Sequence, residues 1–356
     1  MNYGAATPEY VCEGVRLVQN PTGMNVIIPV AGLGTRLRPH TWSKPKPLVS
    51  VAGKPVLGHV LDRLTPLDLD KVVFVTGYLG DQIEQYVRQN YDFEAAFVEQ
   101  TEPHGQSDAV IRACGIVSGP TLIVFPDMIF EADLRQLQSL DADGSLFVKE
   151  VDNPRRFGVI VTEDGRITRL VEKPQEPISN LAVVGLYYFR QIESLFDAIQ
   201  FQIDHNLQQG NEFYLATAMQ HLIDQGADLT YCFVSVWEDT GTPEALLATN
   251  RYLLSQRDGP PPAIEGVVVV PPVFIDPSAH VHRSVVGPFA SIGAGVSVSN
   301  SIVTDAIVDD GAQIETGMLT ASIVGRNALV RGEFLRVNVG DSSDIILAAT
   351  GEGERG

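Results

Sequence analysis

The stretch NVIIPVAGLGTRLRPHTWSKPKPLVSVAGKPV, residues 25–56, concentrates groups suited to holding an anion. It carries Arg36, Arg38, Lys44, Lys46 and Lys54, five of the chain's 25 Lys and Arg, and no Asp or Glu occurs between Met24 and Leu61. Gly32 and Gly34 leave backbone N–H groups open to an incoming phosphate, as in other backbone nests. Arg36 can grip phosphate oxygens with two parallel hydrogen bonds. Prolines at 39, 45, 47 and 55 fix φ and stiffen the segment that bears the lysines. A solvated basic loop is the plain alternative, and the lack of a neighbouring acid to neutralise it weighs against that. Two familiar phosphate motifs do not fit. A dinucleotide fingerprint needs a third Gly where Leu37 stands, and a Walker-type loop needs Gly-Lys-Ser/Thr where Gly34 is followed by Thr35 and Arg36.

The rest of the chain sharpens the contrast. Its 44 Asp and Glu give a formal net charge of −19 over 356 residues. That field repels polyanions, which argues against a nucleic-acid polymer or an anionic membrane as partner. An anionic ligand needs a local basic pocket here, with a divalent cation to help. With 44% hydrophobic and 19% charged residues the chain can bury a core, and its length allows two domains. Cys12, Cys114 and Cys232 lie far apart without metal-ligand spacing and read as reduced thiols. No apolar run nears the ~18 residues that span a bilayer, and the N-terminus lacks a secretory pattern. A soluble cytoplasmic protein is expected.

Elements able to position these groups follow the loop. NVIIPVA reads as a buried strand, PVLGHVLDRL as a helix and KVVFVTG as a second buried strand. GDQIEQYVRQN and SDAVIRACGIV as helices, with EAAFVEQ and TLIVFPD as strands, continue the alternation. This predicts an α/β domain whose mainly parallel sheet is covered on both faces. Ligands gather at the carboxyl ends of such strands, where the basic loop and FPDMIF both stand. SLFVKEV, FGVIVTEDGRITRLVEKP and LAVVGLYYF read as strands and hairpins, ESLFDAIQFQIDH and NEFYLATAMQHLIDQ as helices. SQRDGPPPAIEG breaks the pattern and reads as a linker.

Beyond the linker, apolar residues recur at every sixth position: Ile275 and Val281, then Val286, Ile292 and Val298, then Val308 and Ile314, then Val324 and Val330. With small residues between them, these hexads predict a parallel β-helix of roughly four triangular coils; a β-sandwich is the alternative. The expected division is an extension at 1–23, the α/β domain at 24–254, a linker at 255–264, the β-helix at 265–345 and a disordered tail at 346–356.

AGLGTRLRPHTWSKPKPLVSVAGKPV resembles the signature of sugar-1-phosphate nucleotidyltransferases, Gly-x-Gly-Thr-Arg-x-x-Pro followed by a Lys-rich Pro-Lys-Pro stretch. The resemblance runs from about Asn25 to Asp344. It implies a Rossmann-like, GT-A-like mixed sheet followed by a left-handed parallel β-helix. It also implies Mg2+-dependent transfer of a nucleotidyl group from a nucleoside triphosphate to a sugar 1-phosphate, with release of pyrophosphate. Carried over by position, Gly32, Leu33, Gly34, Thr35 and Arg36 would embrace the triphosphate, and Lys46 would contact the phosphates of the reactants. VEQTEPHGQSDAV resembles the base-binding segment, with Gln100 and the Gly105 backbone reading the base edge. Asp127 in VFPDMIF and Asp239 in WEDTGTPEAL match the two metal ligands. Gly158 in RRFGVI, Glu172 and Lys173 in LVEKP, and Val184 and Gly185 in AVVGLYYF would line the sugar-phosphate pocket. Arg36, Lys46 and Asp127 would then be the catalytic residues. Two departures bear on sugar choice: Met128 stands where many relatives carry a polar residue, and Ala216 and Thr217 where Thr and Asp are common.

Taken singly, each of these positions has a plainer reading as a turn former or a solvated polar residue; their order along the chain is what carries the resemblance. Among family branches the chain looks most like the long-form glucose-1-phosphate thymidylyltransferases, with uridylyl transfer to glucose 1-phosphate and guanylyl transfer to mannose 1-phosphate as alternatives. The β-helix is expected to support a homo-oligomer. An acyltransferase half using His280 or His282, and a silent regulator that binds nucleotide sugars, are the competing readings.

Overall fold

The computed structural model describes residues 23–333. The expected N-terminal extension up to residue 22, the tail, and the part of the expected β-helix beyond residue 333 lie outside them. β1 (Met24–Pro29) leads into the basic loop, a short hairpin of β2 (Ser50–Val51) and β3 (Lys54–Pro55), and α1 (Val56–Leu64). There follow β4 (Leu69–Thr76), α2 (Gly80–Asn90), β5 (Ala95–Glu99), α3 (Gln106–Ile111), β6 (Thr121–Val124), β7 (Met128–Glu131) and β8 (Gly144–Glu150). The next stretch holds β9 (Gly158–Glu163), β10 (Arg166–Glu172), β11 (Leu181–Phe189), α4 (Ile192–Asp204) and α5 (Leu215–Asp224). β12 (Leu229–Phe233), β13 (Val236–Asp239) and α6 (Pro243–Ser255) close it.

The main sheet runs β10-β9-β11-β6-β1-β4-β5, with β8 joining β11 to β12. β1 pairs in parallel with β4 and β6, and β4 with β5, whereas β11 runs antiparallel to both β6 and β8. The strand alternation explains the two-sided core. Ile27 of β1 joins the cluster containing Val110, Ile199 and Leu215, while Val26 and Ile28 join the opposite cluster with Leu57, Leu61 and Ile83. A central strand must therefore be apolar at every position, and this is why it lacks the hydrophobic–polar alternation of a half-exposed strand. α1 buries Val56, Leu57, Val60, Leu61 and Leu64, an apolar stripe at helical spacing.

Three features depart from the expectation. β12, β13 and α6 are not evident in the sequence, because β12 and β13 are short and half-exposed and α6 buries residues on more than one side. α3 ends at Ile111, and Gly115, in the left-handed region at φ 77, lies in the turn that follows. Cys232 is a free thiol but Cys114 is disulfide-bonded, which corrects the reading of three reduced thiols; spacing along a chain does not say which sulfurs meet in space.

After α6 the chain winds into three four-stranded parallel sheets, the parallel β-helix of four coils that the hexads predict, left-handed as the resemblance implies. Val286, Ile292, Val298, Val308, Ile314 and Val324 are buried in its axial core, with Ile275 and Val330 packed partly against it. The β-helix is joined to the α/β unit by a further apolar cluster in which Leu37, Val49 and Val51 of the loop region meet Leu246, Leu253 and Leu254 of α6, Ile307, and the rings of Phe274 and Phe289.

Asn250 organises this junction. Its fully buried side-chain oxygen accepts from the Ala52 N–H at 2.9 Å and the Ser291 hydroxyl at 2.7 Å, and its nitrogen donates to the Phe289 carbonyl at 3.1 Å. An amide presents its acceptor and its donor on separate atoms, so it can meet three groups that lie in different directions. Asn250→Ala should therefore cost about 2–3 kcal/mol by leaving buried polar groups unpaired, measured as a lowered midpoint in urea unfolding.

Candidate active site

β1 and β6 deliver their carboxyl ends to one side of the sheet, and a cavity of about 830 Å³ opens there. It is lined by Gly32, Arg36, Lys46, Gln100, Gly105, Asp127, Gly158, Glu172, Lys173, Val184, Gly185 and Asp239, so the fold gathers most of the residues singled out in the sequence. Leu33, Gly34 and Thr35 are not among the lining residues. Leu33 points outward with 47% of its surface exposed, and Thr35 opens the 3-10 turn Thr35–Leu37. Gly34 has a different use. At φ 61 it adopts the left-handed backbone that glycine tolerates, and a Cβ there would stand 2.8 Å from the Lys46 Cβ and 3.2 Å from the Thr41 methyl. The missing side chain lets the lysine pass close to the loop.

The five cations of the opening stretch are divided by the tertiary structure. Lys46 points into the cavity and donates to Asp127 Oδ2 at 3.1 Å. Arg36 lies against Gly241, whose Cβ position would be 3.1 Å from the Arg36 guanidinium and 3.0 Å from Asp239 Oδ1. Lys44 turns away and is clamped by Asp309, Lys54 pairs with Asp62, and Arg38 lies over the Trp42 ring at 4.2 Å. The expectation that no acid neutralises this stretch is thereby corrected: its three lysines all find carboxylates, Asp62 from just past the stretch and Asp127 and Asp309 from far along the chain.

Asp127 and Asp239 are held at neighbouring ends of the β7–β13 pair, where the Thr240 N–H donates to the Asp127 carbonyl at 3.1 Å. Asp239 Oδ1 also accepts from the Gly241 N–H at 2.8 Å. Among the described residues no group of three or more His, Cys, Asp or Glu side chains could hold a metal. Two carboxylates with open oxygens fit a hard ion that keeps several waters and completes its shell with phosphate oxygens.

The far end of the cavity is different. Burial pushes the Glu172 carboxyl up, against the pull of the adjacent Lys173 ammonium. Lys173 donates to the Tyr214 hydroxyl at 3.0 Å and stands 3.6 Å from Glu172. Burial opposes its charge, but the Tyr214 bond and the Glu172 charge outweigh this and raise its pKa. Tyr187 is fully buried and stays a neutral phenol, held up by burial and by the charges of Glu172 and Asp127.

Sequence reading missed several lining residues: Arg155 and Arg156 at the mouth, and Tyr187, Glu212, Tyr214 and Trp237. Two arginines after a proline are a usable charge signal. The aromatics are not, since their role depends on which strand face meets the cavity.

Between these ends, Gln100 is nearly buried. Its amide N–H2 donates to Asp108 Oδ2 at 2.5 Å and to the Gly105 carbonyl at 3.4 Å. Gly105, at φ 113, leaves no room for a side chain: a Cβ would stand 2.6 Å from the Phe213 nitrogen and 2.7 Å from its oxygen.

The sequence profile of the Nucleotidyl transferase family matches residues 25–256. "Bifunctional protein GlmU" of Methanocaldococcus jannaschii is 35% identical over 234 residues, 65% of this chain, and the chain spans 55% of that relative's length. "Glucose-1-phosphate thymidylyltransferase" of Streptomyces antibioticus is 30% identical over 326 residues, 87% of this chain and 89% of the relative. A crystal structure of UDP-glucose pyrophosphorylase complexed with UDP-glucose superposes with a TM-score of 0.59 at 19% identity, over 66% of this chain and all of that one, and so shares its fold.

The raised pKa of Glu172 carries a stability consequence. The unfolded chain loses this proton near pH 4, the folded chain only at higher pH, so stability falls as pH rises between the two values and the penalty is complete above the folded one. Glu172→Gln should raise the melting temperature at pH 7, and the difference from the parent should vanish below about pH 4.

Proposed function

Because the chain belongs to the sugar-1-phosphate nucleotidyltransferase family, we propose that it transfers thymidylate from dTTP to glucose 1-phosphate, giving dTDP-glucose and pyrophosphate. One observation carries the reading: a single cavity collects Arg36, Lys46, Asp127 and Asp239 together with Glu172 and Lys173. The thymidylyl branch is favoured by the likeness to the Streptomyces antibioticus protein, which extends over both the α/β unit and the β-helix.

The chemistry joins two anions and expels a third, so the protein's task is to align them and to neutralise developing charge. Arg36 and Lys46 neutralise phosphate oxygens at the nucleotide end, with Gly32 contributing open backbone. Mg2+ held by Asp127 and Asp239 would supply further charge neutralisation and orient the reacting phosphates. Lys173 receives the sugar phosphate, Glu172 accepts from sugar hydroxyls, and Gly158, Val184 and Gly185 let the sugar approach. Arg155 and Arg156 add two cations at the entrance. Direct in-line displacement at the α-phosphorus follows, with no enzyme nucleophile.

Gln100 bears on the base. Its amide nitrogen donates to Asp108 and to the Gly105 carbonyl, which leaves the side-chain oxygen as an acceptor. That suits the imino N–H of thymine, uracil or guanine, and the amino groups of cytosine and adenine also offer it a donor, so a nucleotide panel decides the base. UTP is the nearest competitor, because thymine and uracil share this edge.

Pyrophosphate release should be fastest with dTTP and glucose 1-phosphate in a panel of dTTP, UTP, GTP, ATP and CTP against glucose and mannose 1-phosphates. Lys46→Met should lower kcat by about 10²–10³, and Asp127→Ala should abolish turnover. Preference for another pair would correct the substrate, and silence with every pair would favour a nucleotide-sugar-binding regulator.

In this reading residues 24–254 carry the reaction and the β-helix assembles the oligomer. Val268, Val285, Ile302 and Met318 stand in register on one outer face, and Met318 is 82% exposed. A second copy is the natural cover for such a ladder. Ile302→Glu with Met318→Glu should reduce the mass measured by light scattering while leaving turnover in place; an unchanged mass would sink the idea.

A further inference from the structure

The basic segment that sends Arg36 and Lys46 into the cavity has a second side, and that side rests on the β-helix. Lys44 is only 5% exposed. Its ammonium lies 2.8 and 2.7 Å from the two oxygens of Asp309, a residue 265 positions later on the β-helix. Nearby, His40 faces the next coil, with Nδ1 3.4 Å from where a Cβ on Gly325 would stand. Burial keeps this imidazole's pKa low, Asp309 pulling it up and Lys44 pushing it down. Further along, the Ala52 carbonyl accepts from Arg257 at 3.2 Å, and a side chain at Gly53 would overlap the Phe274 ring.

Between Lys44 and Lys46 stands only Pro45, with Pro47 beyond, so two fixed φ angles make this short run stiff. A buried ammonium that loses its carboxylate moves toward water, and through Pro45 it takes Lys46 with it. Gly34 and Thr41 extend the coupling to the rest of the loop: the Thr41 hydroxyl donates to the Gly34 carbonyl at 2.9 Å, and Gly34 packs on the Lys46 side chain.

We propose that Asp309 is a positioning residue for nucleotidyl transfer: by holding Lys44 it sets where Lys46 and Arg36 stand in the cavity, so the β-helix is part of the active site's construction. The proposal rests on the function assigned above. A second ion pair supplies the control. Arg251 of α6 meets Asp305 on the same β-helix through two bonds of 2.6 Å each, and so joins the same two units by hydrogen bonds that involve no residue of the basic segment, although Arg251 and His40 line a common pocket.

The test compares Asp309→Asn, Lys44→Met, their double variant and Asp305→Asn in the full chain. Each is measured for melting temperature, kcat, KM for both substrates, and hydrogen exchange over residues 34–49. Asp309→Asn and Lys44→Met should each lower kcat about ten- to a hundredfold, with KM for the sugar phosphate little changed. The double variant should cost no more than the worse single one. Asp305→Asn should lower the melting temperature yet leave kcat within about twofold. Faster exchange over 34–49 should accompany the first three variants only. Equal loss of kcat and equal exchange in Asp305→Asn would overturn the proposal, as would unchanged kcat and exchange in Asp309→Asn. If Asp309→Asn does not fold, Lys44→Met, which removes the more buried of the two charges and leaves the less buried Asp309 carboxylate without its partner, decides by the same criteria. If the parent protein turns over no substrate pair, the functional reading fails, and the exchange comparison still decides whether Asp309 holds the loop.

Discussion

A cation buried in protein must have a carboxylate beside it, and the arrangement around the basic loop follows from that requirement. Five positive side chains within 19 residues repel one another and cannot all face one cavity unless anions are bound. The fold separates them. Lys44 is sealed against Asp309, Lys54 lies on Asp62, Arg38 on Trp42, and only Arg36 and Lys46 are kept for the cavity. Lys46 in turn shares Asp127, a carboxylate half exposed and open to exchange partners. The charge gathered in this stretch is therefore divided between cations held by a carboxylate or a ring and cations that line the cavity.

Sheet topology supplies the other half of the design. β1 and β6 are adjacent and parallel, so the loop after one and Asp127 after the other emerge together. β11 enters antiparallel beside β6 and carries Val184, Gly185 and Tyr187 along the cavity floor. β10 ends at Glu172, and β13 pairs with β7 so that Asp239 reaches Asp127's neighbourhood. Strands from four separate parts of the chain thus meet at one edge. The cavity is electrostatically graded, with open aspartates under the basic loop and a half-hidden Glu172–Lys173–Tyr214 group opposite. Keeping Glu172 where burial disfavours its charge costs stability, the usual compromise at a site that must greet a polar ligand.

The β-helix gains meaning from the same geometry. Its hexads bury only their own axial core, and nothing in their period indicates what the outer faces touch. One face meets α6 and the β2–β3 hairpin, where Asn250 satisfies buried polar groups from three segments. Another carries the exposed ladder ending in Met318. The junction is both apolar and ionic, so the two units share one continuous interior along the basic loop instead of touching at a linker.

Much of this was legible in residues 25–344. Apolar runs such as NVIIPVA and TLIVFPD, the six-residue spacing from Val286 to Val298, and the sequence GLGTR are local patterns, and local patterns survive in one dimension because they reflect helix and strand periods. Asp127, Asp239, Glu172 and Lys173 were legible through resemblance, since a motif preserves order along the chain. What remained hidden is what order cannot encode. The outward turn of the Leu33 side chain is not written in the loop's sequence; β12, β13 and α6 owe their form to partners far away. Asp309 is one acidic residue among 44 in the sequence, and only folding places it on Lys44, 265 residues distant. Composition and spacing determined that a cluster of cations would stand in a loop at the end of a parallel strand. Which cations face the cavity, and which are held by carboxylates, was decided by tertiary structure, because ion pairing depends on distance in space and burial and neither is a property of a short stretch of chain.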